Sequence, residues 1–326
     1  MTGLLHFFRK SGALGALLFL LCGMAPEIWA AQAFITVDAT TGHILAQRDA
    51  TKKRQVGSLT KIATAMVVLD WAGKQAGDLA QVATVPEAAF AGTTTNNIGL
   101  QPGDTLTLRD LLYAALVQSD NIAAYTLAEH VGRSLEASGG GALEGARLMP
   151  ADVVVRQMNA LAKTLGMERT RFLNPSGLDG KERPYSTAAD IARLTKYAMN
   201  SAGFRFYVSQ KEREISIGRG PQRLRYLLRN TNELLGTDSI DGVKTGRTER
   251  AGDCLVLSAA RPSEVVQQGT TSLVTPQRLI VVLLGSADRF GDGAQTLAQG
   301  WQIYEQWVAA GRPNDPRESL VSPAAR

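Results

Sequence analysis

The order of strand-like and helix-like segments most constrains how this chain can fold. Residues 34–39 and 43–48 are strand-like and are separated by Thr-Thr-Gly, which predicts a hairpin. Residues 254–260 and 278–285 are again strand-like, whereas the segments between the two pairs have mainly helical spacing. Strands at both ends of a helical middle predict an α+β fold. The terminal strands are expected to share one sheet, with the central helices in a separate layer.

Helices are predicted where apolar residues recur at helical spacing behind a favourable start. The first covers residues 58–70, with Ile62, Ala65, Met66 and Leu69 on one face. Thr107 and Thr187 each precede an aspartate by three residues, which is typical of a capped helix start. Pro150 suits the first turn of a helix through Leu165. The inner face of a last helix is expected to carry Leu297, Trp301, Tyr304 and Val308.

Two segments are predicted to be irregular. The polar stretch 261–277 has the composition of a long hairpin loop between the last two strands. Residues 312–326 contain three prolines and are expected to form a loose C-terminal tail. No clear linker divides the part between the chain ends, so residues 32–311 are predicted to be a single catalytic domain.

The first residues have the pattern of an export signal. Arg9 and Lys10 precede the uncharged stretch 12–23, and the small residues Ala30 and Ala31 follow. A helix of that stretch would be about 18 Å long, well short of the ~30 Å hydrocarbon core of a membrane. We therefore predict a cleaved signal peptide at residues 1–31, export to the periplasm or cell-wall space, and no permanent membrane anchor.

Charge and cysteine usage exclude several functions. The chain has 35 Lys and Arg against 30 Asp and Glu, without a block of like charge, so a nucleic-acid-binding surface is not predicted. If Cys22 leaves with the signal peptide, Cys254 has no disulfide partner, and its apolar surroundings predict a buried side chain rather than a nucleophile. His43 and His130 do not form a spaced ligand set, so neither a metal site nor a cofactor is predicted.

Three short motifs carry the candidate chemistry. Ser58 and Lys61 stand one helical turn apart, which places a hydroxyl beside an amine that can take its proton if burial disfavours the ammonium form. Alone, Ser-x-x-Lys also occurs by chance on solvated helices. Here it is followed by Ser-Asp-Asn at 119–121 and Lys-Thr-Gly at 244–246, both rare by chance in a chain of this length. Together they predict one catalytic cleft.

With these motifs the sequence resembles the penicillin-binding proteins and serine β-lactamases. The surroundings of the motifs at 57–66, 116–121, 172–179 and 241–252 are most similar to those of low-molecular-mass D-alanyl-D-alanine carboxypeptidases. The resemblance extends from about residue 34 to 307. It implies the β-lactamase/transpeptidase-like sandwich, peptidoglycan stem peptides ending in D-Ala-D-Ala as substrates, and β-lactam antibiotics as covalent inhibitors.

The resemblance also implies a role for each motif residue. Ser58 would attack the carbonyl between the two D-alanines to form an acyl-enzyme, and Lys61 would accept its proton. Ser119, linked to Lys244, would relay a proton to the departing nitrogen. Asn121 would hold both Lys61 and the substrate amide in register.

Further residues are implied in substrate binding. The backbone N–H groups of Ser58 and Arg247 would form the oxyanion hole, and Gly246, which precedes Arg247, is a further candidate for substrate binding. Thr245 would bind the terminal carboxylate. Arg289 is a second candidate for that carboxylate on spacing alone, since it falls where these carboxypeptidases have an arginine before the last helix. The alternative for Arg289 is a surface arginine in a turn.

Three alternative functions remain open. The shorter chain resembles single-domain D,D-endopeptidases, because the residues after Trp301 are too few for the second all-β domain and C-terminal anchor of the best-known carboxypeptidases. A β-lactamase of the class with these motifs needs a glutamate four residues before the asparagine of Leu-Asn. Leu173 and Asn174 are present, but position 170 is a threonine, which predicts slow penicillin turnover. A non-enzymatic penicillin sensor or wall-binding protein is the third.

Overall fold

The computed structural model describes residues 31–74, 78–93, 95–138 and 149–320. The predicted signal peptide, apart from Ala31, lies outside the described residues. Within these ranges, no helix combines the length and the apolar character that crossing a membrane requires.

The described residues contain nine strands and seven α-helices. The strands are β1 Ala33–Asp38, β2 Ile44–Arg48, β3 Val82–Thr84, β4 Thr105–Thr107, β5 Glu212–Arg219, β6 Gln222–Arg229, β7 Ile240–Thr248, β8 Gly252–Gln268 and β9 Thr271–Ser286. The helices are α1 Lys61–Lys74, α2 Leu108–Leu116, α3 Asn121–Ala137, α4 Pro150–Thr164, α5 Ala188–Asn200, α6 Ala202–Val208 and α7 Arg289–Ala309.

The main sheet has five antiparallel strands in the order β2-β1-β9-β8-β7. Residues of β1 from Ala33 to Asp38 pair with residues of β9 from Leu284 back to Leu279, so the first and last strands of the chain are neighbours. The predicted α+β fold with a shared terminal sheet is confirmed. Backbone hydrogen bonds between β1 and β9 therefore join elements that are far apart in sequence in one sheet.

Both faces of this sheet are buried, because successive side chains of a strand point to opposite faces. Ile35, Val256 and Val282 lie in the cluster that includes helix α1 and the other central helices. Leu257 and Val281, their neighbours on β8 and β9, pack in a second cluster beneath α7. The sheet therefore separates a helical layer on one side from a single long helix on the other.

The helix starts agree with the sequence. The hydroxyl of Thr107 accepts a hydrogen bond from the backbone N–H of Asp110 at 3.0 Å, and Thr187 accepts from Asp190 at 3.0 Å. Helix α4 begins at Pro150, as predicted. In α7, Leu297, Trp301 and Tyr304 are buried as expected, while Val308 is only partly buried and Trp307 is the additional buried aromatic.

A second sheet, with four strands in the order β3-β4-β5-β6, corrects the mainly helical middle predicted from the sequence. Its hairpin β5–β6 alternates charged outer residues with inner ones: Ile215 and Ile217 are buried, while Glu214 pairs with Arg225 across the strands at 2.6 Å. Only one face of this hairpin is covered, so its apolar content is low. A search for apolar runs therefore misses it.

The predicted loop at 261–277 is wrong. Strands β8 and β9 continue through this stretch as a two-stranded ribbon and reverse direction only after Gln268. Val265 faces Val274, and Val266 faces Leu273, with all four side chains exposed. The polar composition suggested a loop, but hydrogen bonding between the two strands continues beyond the core because valine and threonine favour extended backbone.

The predicted loose tail is also corrected as far as residue 320. The backbone N–H of Leu320 donates to the carbonyl of Gly42 at 2.9 Å, and the side chain of Leu320 is buried. The Arg193 guanidinium donates to the carbonyl of Leu320 at 3.1 Å, and the indole of Trp307 donates to that of Pro313 at 3.0 Å. These backbone contacts fix a segment whose prolines suggested disorder. Residues 321–326 lie outside the described ranges.

Candidate active site

Ser58 lies in a short 3-10 helix, Gly57–Thr60, that leads directly into α1. Gly57 has a φ of +52°, a backbone conformation that residues with a side chain rarely adopt. A Cβ at this position would lie 3.3 Å from the backbone nitrogen of Arg247. This close approach sets the start of the helix against strand β7. One turn later, Nζ of Lys61 lies 2.9 Å from Oγ of Ser58, so the hydroxyl and the amine meet as the motif predicts.

Lys61 is fully buried, and its amine contacts three oxygens. Besides Ser58, Nζ donates to Oδ1 of Asn121 at 2.7 Å and to the backbone carbonyl of Ser176 at 3.1 Å. Burial lowers the pKa of Lys61 to about 7, although the nearby Asp120 carboxylate acts in the opposite direction. About half of these amines are therefore neutral near pH 7, and a neutral amine can accept the proton of Ser58.

The loop between α2 and α3 positions the second motif. Ser119 has a φ of +61°, and Asp120 caps α3 by accepting the backbone N–H of Ala123 at 2.8 Å. The other carboxylate oxygen of Asp120 accepts the N–H of Asn97, also at 2.8 Å. Burial raises the pKa of Asp120. This capped turn fixes the first residue of α3, Asn121, so that its amide oxygen meets Lys61.

The carbonyl of Ser176 is a site group that the sequence did not predict. Oδ1 of Asn174 accepts the backbone N–H of Ser176 at 3.1 Å and that of Gly177 at 2.7 Å, which closes a tight turn. Gly177 has a φ of +82°, and a Cβ there would lie 1.9 Å from the carbonyl oxygen of Gly57. The turn therefore packs against the nucleophile's own helix. The letters Asn-Pro-Ser-Gly signal this turn, but not which carbonyl it presents.

Lys244 is the second buried lysine of the site. Burial and the charges of Lys61 and Arg289 lower its pKa well below the ordinary value. Its Nζ donates to the carbonyl of Thr245 at 3.0 Å. The predicted hydrogen bond between Lys244 and Ser119 is not found among the described residues. The carbonyl of Thr245, rather than Ser119, accepts the hydrogen bond from Lys244.

Strand β7 lies along the nucleophile's helix. A Cβ on Gly246 would lie 3.2 Å from the backbone nitrogen of Ser58, so only glycine allows this approach. The hydroxyl of Thr245 is 2.7 Å from that of Thr231. The side chain of Arg247 is mostly exposed and lies 3.5 Å from the Asp253 carboxylate. The strand thus brings the backbone of Arg247 to the helix while directing its side chain to solvent.

Arg289 begins α7 and lies beside β7, not in a solvent-exposed turn. Its side chain is 19% exposed, and Nη1 lies 3.4 Å from the carbonyl of Gly246 and 3.3 Å from Oδ1 of Asp253. The effect of its charge on the pKa of Lys244 also indicates proximity to the site. Spacing alone therefore predicted an arginine close to the cleft.

Cys254 and Thr170 lie outside the motifs. Cys254 is fully buried, and burial raises the pKa of its thiol to about 11, so it is an inert core side chain as predicted. Thr170 occupies the position where a β-lactamase of this motif class has its glutamate. Its hydroxyl is 2.8 Å from the Asp190 carboxylate and 2.8 Å from the hydroxyl of Ser186.

The sequence matches a known family of peptidases. The profile of Peptidase_S11, described as D-alanyl-D-alanine carboxypeptidase, matches residues 23–268. The D-alanyl-D-alanine carboxypeptidase DacC of Escherichia coli is 31% identical, over 94% of this chain and 72% of that protein. DacB2 of Mycobacterium tuberculosis is 33% identical over 71% of each. A D-alanyl-D-alanine endopeptidase of Pseudomonas aeruginosa is 30% identical over 71% of this chain and 67% of that protein.

Solved structures give the same result. The Streptomyces K15 DD-transpeptidase superposes with a TM-score of 0.70 at 27% identity, covering 84% of this chain and 97% of that one. Penicillin-Binding Protein D2 of Listeria monocytogenes, solved in a cefotaxime-bound form, superposes with a TM-score of 0.64 at 25% identity, over 83% and 97% of the two chains. The matched region spans 54% of the length of DacF of Bacillus subtilis and 75% of the length of the Streptomyces carboxypeptidase.

Proposed function

Because the chain belongs to the D-alanyl-D-alanine carboxypeptidase family of serine peptidases, we propose that it removes the terminal D-alanine from peptidoglycan stem pentapeptides. The observation that carries this proposal is the buried amine of Lys61, 2.9 Å from the hydroxyl of Ser58 and with a pKa of about 7. A serine hydroxyl needs a base, and this lysine is available as one at neutral pH.

In the proposed acylation, Oγ of Ser58 attacks the carbonyl carbon between the two D-alanines while its proton passes to Nζ of Lys61. The carbonyl oxygen becomes an oxyanion, and the backbone N–H groups of Ser58 and Arg247 stabilise it. Collapse of this intermediate breaks the C–N bond, and the departing D-alanine nitrogen takes up a proton. That proton comes from Lys61, which becomes neutral again.

Ser119 is the proposed relay for this proton. It belongs to the turn that Asp120 and Asn121 fix beside Lys61. Lys244 supports the relay by keeping a second amine close to Lys61, so that each disfavours the charge of the other. Once Lys61 is neutral, water attacks the ester carbon and passes a proton to Lys61. The bond between that carbon and Oγ of Ser58 then breaks, Lys61 returns the proton to Oγ, and the shortened peptide leaves.

Thr245 and Arg289 are the proposed partners of the substrate's terminal carboxylate. An arginine suits a carboxylate because its planar fork can donate two parallel hydrogen bonds. The same arrangement accounts for β-lactams as covalent inhibitors, because their carbonyl would acylate Ser58 in place of the peptide. Thr170 offers no carboxylate to activate water, so a penicilloyl-enzyme is expected to be long-lived. Rapid steady-state loss of β-lactam absorbance would contradict this.

A second candidate is D,D-endopeptidase action on crosslinked peptides, which the name of the Pseudomonas aeruginosa relative favours. Both activities share the Ser58 acyl-enzyme and differ in the group that leaves. We also propose that the protein acts outside the cytoplasm, because Arg9 and Lys10 precede an apolar stretch with the pattern of an export signal.

Product masses distinguish the two activities. Purified protein is incubated with a synthetic stem pentapeptide and, separately, with a crosslinked muropeptide. Release of D-alanine from the pentapeptide alone supports the carboxypeptidase, and cleavage of the crosslink supports the endopeptidase. Ser58→Ala is tested in parallel with labelled penicillin, and undiminished labelling of this variant would remove Ser58 from the mechanism.

A further inference from the structure

We propose that an open basic pocket beside the active site binds a carboxylate carried by the donor strand of the substrate, two or three residues upstream of the scissile bond. This inference rests on the proposed function and deepens it. The pocket has a volume of about 490 Å³, and its lining includes Lys53, Arg54, Gln55, Arg183, Tyr185 and Arg250.

The pocket is built from the same three chain segments as the active site. Lys53, Arg54 and Gln55 come just before the 3-10 helix that carries Ser58. Arg183 and Tyr185 follow the turn whose carbonyl contacts Lys61. Arg250 comes directly after strand β7, and its guanidinium donates to the carbonyl of Gly180 at 3.1 Å. A ligand in the pocket would therefore lie next to a peptide bound in the cleft.

The charged residues that line the pocket are all positive. Four of the residues that line it are cationic, and none is acidic. Of the neighbouring carboxylates, Glu182 pairs with Arg171 at 3.0 Å, whereas Oδ2 of Asp179 accepts the backbone N–H of Arg250 at 3.3 Å. Arg183 makes neither an ion pair nor a hydrogen bond with any described residue. Cations held together in a concave site without acidic partners favour an anionic ligand.

A ligand in the pocket can reach its exposed cations. Lys53, Arg183 and Arg250 are exposed, whereas Nε of Arg54 and Nε2 of Gln55 have almost no accessible surface. Lys53 lies 4.2 Å above the ring of Tyr185, which holds one cation at the rim. An acceptor-rich group such as a carboxylate complements these cations.

The direction of the bound peptide identifies where the carboxylate would be. In the proposed mechanism the terminal carboxylate lies at Thr245 and the reacting carbonyl at Ser58 and Arg247. The upstream part of the substrate must then continue past Arg247 toward Arg250. Three residues of extended chain span at most about 10 Å, so the pocket matches a side chain two or three residues before the scissile carbonyl.

The test compares two synthetic peptides ending in D-Ala-D-Ala that differ only in one upstream group, a free carboxylate in one and its carboxamide in the other. We expect the full-length protein to prefer the carboxylate by about tenfold in kcat/KM, mainly through KM, because exposed ion pairs contribute modestly and several act together. The preference should weaken as salt rises, since these cations are exposed.

Variants make the test specific. Arg183→Ala is expected to remove most of the preference, Arg183→Lys to keep part of it, and Arg183→Glu to favour the carboxamide. Lys163→Ala, an exposed lysine on α4, is the matched control and should leave the ratio unchanged. Equal kcat/KM for both peptides in the unmodified protein overturns the pocket while leaving the peptidase intact. Failure to cleave either peptide overturns both proposals.

Discussion

The two groups of cations around this cleft have the same chemistry in opposite environments. Lys61 and Lys244 are almost completely buried, and their pKa values are lowered, that of Lys61 to about 7. Lys53, Arg183 and Arg250 lie a few residues from the site but are exposed to solvent. Water stabilises the charge of the outer group, whereas burial disfavours the charge of the inner group.

This difference shows that burial, rather than residue type, decides what a lysine does here. The amine of Lys61, with a pKa of about 7, can exchange a proton near neutral pH and so can take part in acid–base chemistry. The outer cations are exposed and can attract or orient an anion. A permanent charge at Lys61 should therefore abolish its acid–base role, and that role should vary with pH.

Lys61→Arg should have the largest effect. A guanidinium keeps its proton at any ordinary pH, so Ser58 would lose its base, and a general base is typically worth 10²- to 10⁴-fold in rate. We expect the rate of acylation by labelled penicillin to fall by about 10³-fold or more, with the fold retained by circular dichroism. Acylation within tenfold of the unmodified rate would show that Lys61 is not the base.

Lowering the pH should have the next largest effect. With a pKa of about 7, Lys61 is about half neutral at pH 7 and about 1% neutral at pH 5, so the acylation rate should fall by about 50-fold between these values. The rate of penicillin labelling as a function of pH is the measurement. A profile that is flat between pH 5 and 8 would contradict a lysine base.

The same pKa predicts a pH dependence of stability. The pKa of Lys61 is lower in the folded protein than its ordinary value of 10.5, so between pH 7 and 10.5 the unfolded chain binds more protons. The contribution of Lys61 to stability is thus present above pH 10.5 and lost as pH falls through about 7. In Lys61→Met this part of the pH dependence of the free energy of unfolding should disappear. If the free energies of unfolding of the two proteins differ by the same amount throughout pH 7 to 10.5, the pKa of Lys61 is not lowered by folding.

The sequence predicted the side chains of the candidate active site more completely than the backbone groups that contact them. The meeting of Ser58, Lys61 and Asn121 could be predicted, because their residue types and spacing form recognisable motifs. The Ser176 carbonyl could not, since every residue has a carbonyl and only the turn at Asn174 selects this one. For the same reason the sequence did not show that Lys244 donates to the carbonyl of Thr245.

Prediction of the strands from the sequence was limited in a similar way. Four of the five strands of the main sheet could be predicted, and β1, β8 and β9 gave the clearest signal because their apolar runs are long and buried on both faces. Strand β7 was not predicted as a strand. The hairpin β5–β6 and the outer part of the β8–β9 ribbon are covered on one face or on neither, so their strand pairing leaves little signal in apolar content. What the sequence missed is held by backbone hydrogen bonds rather than by side-chain burial.

Gly177→Ala tests whether the site depends on the backbone turn that presents the Ser176 carbonyl. Its effect on the acylation rate should be smaller than that of Lys61→Arg. A Cβ would overlap the carbonyl of Gly57 at 1.9 Å, so the turn that presents the Ser176 carbonyl must shift. We expect acylation to fall about tenfold and the free energy of unfolding by roughly 2–4 kcal/mol. Gly166→Ala is the control, because its φ of +69° is similar but a Cβ there meets nothing within 4 Å. Equal losses in both variants would assign the effect to φ alone.

Strand β8 has valines in both a buried and an exposed position. Substituting them should have the smallest effects on the protein. Val256 is fully buried, whereas Val265 on the outer ribbon is 57% exposed. Val256→Ala removes packed methyl groups and should lower the free energy of unfolding by about 2 kcal/mol, against about 0.5 kcal/mol or less for Val265→Ala. Denaturant titration of both variants measures the difference. If Val265→Ala costs as much as Val256→Ala, the outer ribbon is covered in solution, and its exposed valines then belong to an interface rather than to a free surface.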